Sequence, residues 1–120
     1  MVHEMSFDST APLYLQIAER LRIQIASGEL QVGQALQTVQ ELASHLRINP
    51  NLVQRAYEQL KQEGLLVSDN NKRYFVTMAP PKLEALRMSL LDKELKALIE
   101  QAKHYGISKE YCLEALKLRW

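Results

Sequence analysis

The sequence predicts a mainly α-helical chain with one small β-hairpin, an α+β arrangement of three short helices, the hairpin and then two further helices. Apolar residues recur at three- and four-residue steps in separate stretches, the spacing of amphipathic helices. The four prolines and four glycines fall at the edges of those stretches rather than inside them. Between the third and fourth helical stretches, two short runs of β-forming residues flank a polar segment, the mark of a hairpin.

The first helix is expected over residues 13–27. Pro12 opens it, Tyr14, Ile17, Ala18, Leu21 and Ile25 form its apolar row, and Gly28 sits at the C-terminal cap position. Residues 30–36 are too few for more than a turn or a very short strand, with Gly33 in their middle. Thr38 and Glu41 form a capping box for a second helix over 39–46, which would bury Val39, Leu42, Ala43 and Leu46. Asn49 is a good N-cap, and Pro50 suits the first helical position because its missing N–H has no partner there anyway. The third helix then runs over 50–63, burying Val53, Ala56, Tyr57 and Leu60, and ends at Gly64.

Strands are expected over 65–68 and 74–77, joined by the polar turn 69–73, in which Asn71 can take a positive φ. Pro80 and Pro81 exclude further central strand and mark a boundary, dividing the chain into domains 1–79 and 80–120. A long helix is expected from 82 to about 105. Its residues Met88, Leu91, Leu95, Leu98, Ala102 and Tyr105 have the spacing of a seam that needs a partner helix to cover it. Leu83, Leu86 and Leu90 form a second row. After Gly106, Ser108 caps a last helix, with Ile107 placed to staple onto Cys112 and with Leu113, Leu116 and Trp120 on one side.

Composition limits the function. The chain has 120 residues, 47% hydrophobic and 24% charged, with a formal net charge of +1, an ordinary soluble profile that carries no nucleic-acid signal of its own. Its single cysteine, Cys112, excludes an internal disulfide and suits a reducing cytosol. No run approaches the roughly 18 apolar residues of a membrane span, and Glu4 and Asp8 stand where a secretory leader would be basic and then apolar. A cytoplasmic protein without membrane association is expected.

His3, His45 and His104 lack partners at ligand spacing, so no metal or other cofactor is expected. Cys112 reads as a small packing residue, since no nearby His or basic cluster would lower its pKa. No phosphate-binding glycine loop, nucleophile elbow or pair of cleft acids is present, which leaves an enzyme little to rest on.

Three helices followed by a hairpin, with only Arg47, Ile48 and Asn49 between the second and third helices, make a winged helix-turn-helix. In that motif the third helix enters the DNA major groove and the hairpin reaches the backbone or the adjacent minor groove. On helix 3 the residues to read DNA are then Asn49, Asn51, Leu52, Gln54 and Arg55. Asn51 and Gln54 match adenine edges, Leu52 a thymine methyl, and Arg55 guanine or a phosphate. Thr38 and the start of the second helix suit a phosphate. Arg47 in the turn and Lys72 and Arg73 in the wing add cations. Asn49 is a helix cap on any reading, and Arg55 could instead pair with Glu58 or Gln59 on its own helix.

The segments PLYLQIA at 12–18, LQTVQELA at 36–43, RINPN at 47–51 and EGLL at 63–66, with Val53, Arg55, Ala56, Tyr57, Leu60 and YFV at 74–76, resemble the DNA-binding domain of GntR-family transcription regulators. The likeness spans about residues 11–77, and the short remainder is similar to the YtrA-like subfamily. The resemblance implies a homodimeric, operator-binding repressor whose two C-terminal helices serve dimerisation and which lacks the large effector domain of its relatives. Gln37 and Gln40 stand where the family usually has Pro and then Arg, and Asn71 and Arg73 where it usually has glycines at the wing. Gln40 in place of Arg exchanges a guanine partner for an adenine one.

Residues 1–80 carry seven Lys and Arg against eight Asp and Glu, so the head is not basic overall. Two heads in a dimer bring Arg47, Arg55, Lys72 and Arg73 together twice over, whereas a lone head should bind poorly. The same balance motivates a rival reading, a winged helix that binds protein and no longer DNA. A small ligand-binding or catalytic domain would need a buried polar pocket that the sequence does not suggest. A small-molecule effector is left open; with so few residues after Pro81, its place would be between subunits.

Overall fold

The computed structural model describes residues 7–120, so His3 and Glu4 lie outside the described residues. The elements are α1 (Leu13–Ser27), α2 (Val39–Leu46), α3 (Pro50–Gln62), β1 (Leu66–Ser68), β2 (Tyr74–Val76), α4 (Pro80–His104) and α5 (Lys109–Arg119). They fall into two compact units that divide between Leu86 and Arg87.

Local chemistry explains the boundaries in the first unit. The Pro12 carbonyl accepts from the Leu15 and Gln16 amides to start α1, and Gly28, at φ 84°, ends it. At α2 the capping box closes in both directions: the Glu41 N–H donates to Thr38 Oγ1 (3.1 Å) and the Thr38 N–H donates to Glu41 Oε1 (2.8 Å). These bonds from Thr38, helped by the charges of Arg73 and His45, hold the Glu41 carboxyl below its usual range. Asn49 Oδ1 accepts from the Asn51 N–H (2.9 Å) and caps α3, with Pro50 in its first turn. Gly64, at φ 81°, ends α3, which stops at Gln62, one residue before the sequence reading. The Lys82 side chain lies over Gly64 so closely that a Cβ there would meet Lys82 Cε at 3.0 Å.

The hairpin is antiparallel, with Leu66 opposite Val76, Val67 opposite Phe75 and Ser68 opposite Tyr74. Residues 33–36 pair along the other edge of β2. Gly33 N–H donates to the Val76 carbonyl (3.0 Å), Val76 N–H to the Gln34 carbonyl (2.9 Å) and Leu36 N–H to the Tyr74 carbonyl (2.8 Å), with Ala35 bridged to Phe75. β2 is therefore held on both sides. In the turn, the Asp69 carboxylate accepts from the Asn71 and Arg73 amides, both at 2.9 Å. Lys72, not Asn71, takes the left-handed conformation, at φ 59°, because Asx-type bonding by Asp69 holds the residue before it.

The core of this unit is Ile17, Ala18, Leu21 and Ile25 from α1, Leu42 and Ala43 from α2, and Val53, Ala56, Tyr57 and Leu60 from α3, joined by Leu30, Leu36, Leu65, Leu66, Tyr74, Val76, Leu83 and Leu86. Val39 and Leu46, which the sequence reading buries, are only half-buried, because they stand at the two ends of the short α2. Pro80 and Pro81 open α4 two residues earlier than the sequence reading, since the first turn of a helix needs no N–H from either. In the second unit, Ser108 Oγ accepts from the Tyr111 N–H (3.1 Å) and caps α5, but no residue from Arg87 onward is buried.

One ion pair ties α1 to the end of α3. Arg22 Nε donates to Glu63 Oε1 (2.8 Å) and its Nη2 to Glu63 Oε2, while Gln59 Nε2 donates to the same carboxylate (2.9 Å). The Arg22 bond, against some desolvation, holds the Glu63 carboxyl below its ordinary value of 4.5. The stabilisation is therefore fully present above that value and is lost as pH falls through the lowered one. We expect Glu63→Gln to lower stability by about 1–2 kcal/mol at pH 7, between the worth of exposed and buried pairs. Thermal melts should show that difference shrinking below pH 4.5.

Candidate nucleic-acid interface

α3 packs against α1, α2 and β1. Its inward residues Val53, Ala56, Tyr57 and Leu60 have no exposure, which turns the intervening side chains outward. Asn51, Gln54 and Arg55 are exposed and Leu52 is half-buried. Asn49 is exposed, with its side chain committed to the cap. Thr38 and Gln40 are exposed at the entrance of α2, and Lys72 and Arg73 at the hairpin turn.

Arg47 is exposed in the α2–α3 turn and adopts a left-handed conformation, φ 55° and ψ 49°. There the Ile48 N–H reaches back to the Ala43 carbonyl (3.0 Å) to close α2. A side-chain residue in that region costs about 1–2 kcal/mol relative to the right-handed one, a cost glycine avoids.

The wing strand docks on the outward side of α3. Gln54 Nε2 donates to Tyr74 Oη (2.8 Å), and Tyr74 Oη donates to Glu58 Oε2 (3.0 Å). The Tyr74 ring meets Tyr57 edge-on, centroids 4.9 Å apart, and the Tyr57 hydroxyl donates to the Gln37 carbonyl (2.8 Å) just before α2. Burial pushes the hydroxyls of both tyrosines up from their ordinary value, so both stay neutral donors. These bonds and ring contacts bring the entrance of α2, the middle of α3 and the wing together in one region. The exposed Arg55 turns toward α1. Its guanidinium lies 3.8 Å from the centre of the Tyr14 ring on α1, while Glu58 and Gln59 bond to Tyr74 and Glu63. A guanidinium over a ring face is attracted by the ring quadrupole.

The sequence reading gave Tyr14, Glu58, Asp69 and Tyr74 no place in the site. Only Glu58 left a signal, a carboxylate one helical turn after Gln54 and therefore on the same face.

In the second unit, Leu95, Leu98, Ala102 and Tyr105 line apolar grooves together with Ile107, Cys112 and Leu116. Met88 and Leu91 lie outside those grooves and are 57% and 54% exposed. Leu113 and Leu116 are also exposed, and Trp120 is fully so. Cys112 is half-buried in the groove wall with its thiol unbridged. Among the described residues no cluster of His, Cys, Asp or Glu could hold a metal ion, and no helix is long and apolar enough to cross a membrane.

Comparison with known proteins agrees with this architecture. The pattern of the bacterial regulatory proteins, gntR family, matches residues 13–76. The chain is 31% identical over 111 residues to the HTH-type transcriptional regulator YhcF of Bacillus subtilis, covering 92% of each. It is 30% identical over 110 residues to the HTH-type transcriptional repressor YtrA of the same organism, covering 91% of this chain and 85% of that one. A GntR family transcriptional regulator from Listeria monocytogenes superposes with a TM-score of 0.83 at 28% identity, over 92% of this chain and 97% of that one. The family pattern spans the winged helix-turn-helix, the two relatives and the solved structure match on into the C-terminal helices, and the chain belongs to the gntR family of bacterial regulatory proteins as a YtrA-like transcriptional regulator rather than an enzyme.

Proposed function

We propose that this regulator is a homodimeric, cytoplasmic repressor that binds double-stranded DNA at an operator with two half-sites. The proposed division of labour is residues 1–79 for DNA and 80–120 for dimerisation. The observation that carries it is the second unit: from Arg87 onward neither helix has a buried residue, and their leucines line open apolar grooves. A helix pair without a core gains stability only when its apolar face is covered, and a second copy brings an identical face of the same length. The seam would comprise Met88, Leu91, Leu95, Leu98, Ala102 and Tyr105. Pairing also supplies the charge that one head lacks, because each copy adds Arg47, Arg55, Lys72 and Arg73 for phosphates. Base reading falls to Asn51, Leu52, Gln54 and Gln40, with Thr38 and Asn49 at helix starts near the backbone. The repressor sense is supported by the YtrA relative, which is named a repressor. An effector, where one exists, would act on the relative placement of the two heads.

Fluorescence anisotropy on duplex DNA from upstream of the gene, against scrambled duplex at two salt concentrations, tests the proposal. Preference by about a thousandfold or more with steep salt dependence supports it. Equal, weak binding to both overturns it and favours the protein-interaction module that the head's acidic balance suggests.

Two variants separate the parts. Arg47→Gly should raise the melting temperature, since it relieves a left-handed side-chain residue at φ 55° by about 1 kcal/mol. It should nevertheless weaken DNA binding and reduce the salt slope by about 0.9 for each phosphate that the variant leaves unneutralised. Leu98→Glu, at an exposed groove position, should leave the head folded by circular dichroism and lower DNA affinity by about tenfold or more, because dimer formation and binding are linked.

A further inference from the structure

Gln54, Tyr74 and Glu58 form a hydrogen-bonded chain in which the direction of every proton is fixed by chemistry. A carboxylate can only accept, so Glu58 Oε2 takes the one proton of Tyr74 Oη across 3.0 Å. The hydroxyl oxygen, its proton spent, can then only accept from Gln54, and the partner 2.8 Å away must be the amide nitrogen. A reversed amide would set its carbonyl oxygen against the lone pairs of Oη with no proton between them. The anchor itself cannot turn away. Tyr74 is 6% exposed, its ring packs edge-on against the fully buried Tyr57, and its backbone carbonyl is bound by Leu36 N–H at 2.8 Å. Gln54 and Glu58 are four residues apart on α3, so the one Tyr74 hydroxyl serves both.

From this geometry we infer that Tyr74 and Glu58 are positioning residues for base discrimination: they lock the exposed Gln54 amide in one orientation and so make it choose between adenine and guanine at one purine position of each half-site. The inference rests on the DNA-binding reading above. With one N–H held by Tyr74, Gln54 keeps its other N–H and its carbonyl oxygen for a base. In the major groove adenine offers a donor beside the N7 acceptor, whereas guanine offers two acceptors. A locked amide that aims its oxygen at the position-6 group accepts from adenine and repels guanine; one that aims its N–H there makes the reverse choice. A free amide turns over and tolerates both. Neither Tyr74 nor Glu58 needs to touch the DNA.

The test uses the full chain and a random-sequence duplex library. The wild type is taken through rounds of selection, and the selected duplex and its single-base variants are then measured by competition anisotropy. Wild type, Tyr74→Phe, Glu58→Gln, Gln54→Ala and the Gln54→Ala/Tyr74→Phe double variant are compared. Tyr74→Phe keeps the ring and its packing. Glu58→Gln supplies an N–H that can donate to Oη, freeing the hydroxyl proton to meet the Gln54 oxygen and so allowing both orientations. Discrimination between adenine and guanine at one position, about tenfold in the wild type for one good side-chain pair, should fall to about threefold or less in each single variant. Other positions should keep their preferences, and Tyr74→Phe should have no further effect once Gln54 is alanine. Retained discrimination in Tyr74→Phe, a uniform loss at all positions, or a Tyr74→Phe effect that persists without Gln54 would overturn the inference while leaving the DNA reading intact. Failure of the wild type to select any motif would overturn both.

Discussion

The N-terminal unit depends on one constraint: α3 must be the middle of the core and its outward surface at once. Val53, Ala56, Tyr57 and Leu60 have no exposure, and full burial of such side chains is worth about 1.5–3 kcal/mol each for the larger ones. That burial against α1, α2 and β1 fixes the rotation of the helix about its axis, and hence the direction in which Asn51, Gln54 and Arg55 leave it. Tyr57 does this in three ways, through its buried ring, its edge contact with Tyr74 and its bond to the Gln37 carbonyl. The wing follows from the same constraint, because β2 is clamped between β1 and residues 33–36 while its Tyr74 is clamped to α3. Helix and wing are thus a single rigid device.

The second unit obeys the opposite logic. Its helices are well capped, by Ser108 at the start of α5 and by Gly106 in the turn before it, yet caps contribute only about 1 kcal/mol apiece and cannot replace a core. Leu83 and Leu86, the buried leucines of α4, lie within the first unit. Everything beyond them is amphipathic surface with nothing to fold around. The two units therefore differ physically: one has a closed core of its own, and the other leaves its leucines uncovered.

Much of this was legible in the sequence, and the exceptions have a common cause. Signals that act within one helical turn were readable: the Thr38–Glu41 box, the Asn49–Pro50 start, the Ser108 cap, and the three- and four-residue spacing of the α1 and α3 core residues. What escaped depends on pairings between distant segments. Residues 33–36 are too few to show a period, and their pairing with β2 comes only from the free edge of that strand. Arg55 had acidic and amide neighbours on its own helix, yet its guanidinium rests on Tyr14, some forty positions earlier in the chain. Tyr74 reads in the sequence as a β-former and becomes a fixed point for Gln54 only because the hairpin folds back on α3. At the wing tip the positive φ fell to Lys72 rather than Asn71, since the Asp69 carboxylate, by binding two amides, sets the turn.

If the uncovered helices of the second unit exist to join two copies, the purified chain should already be paired without DNA, and sedimentation equilibrium at micromolar concentration reads this directly. The expected mass is twice 13.8 kDa, independent of loading over the range in which an apolar interface of this kind stays closed. A stable species of 13.8 kDa at those concentrations would contradict a dimer built on these leucines.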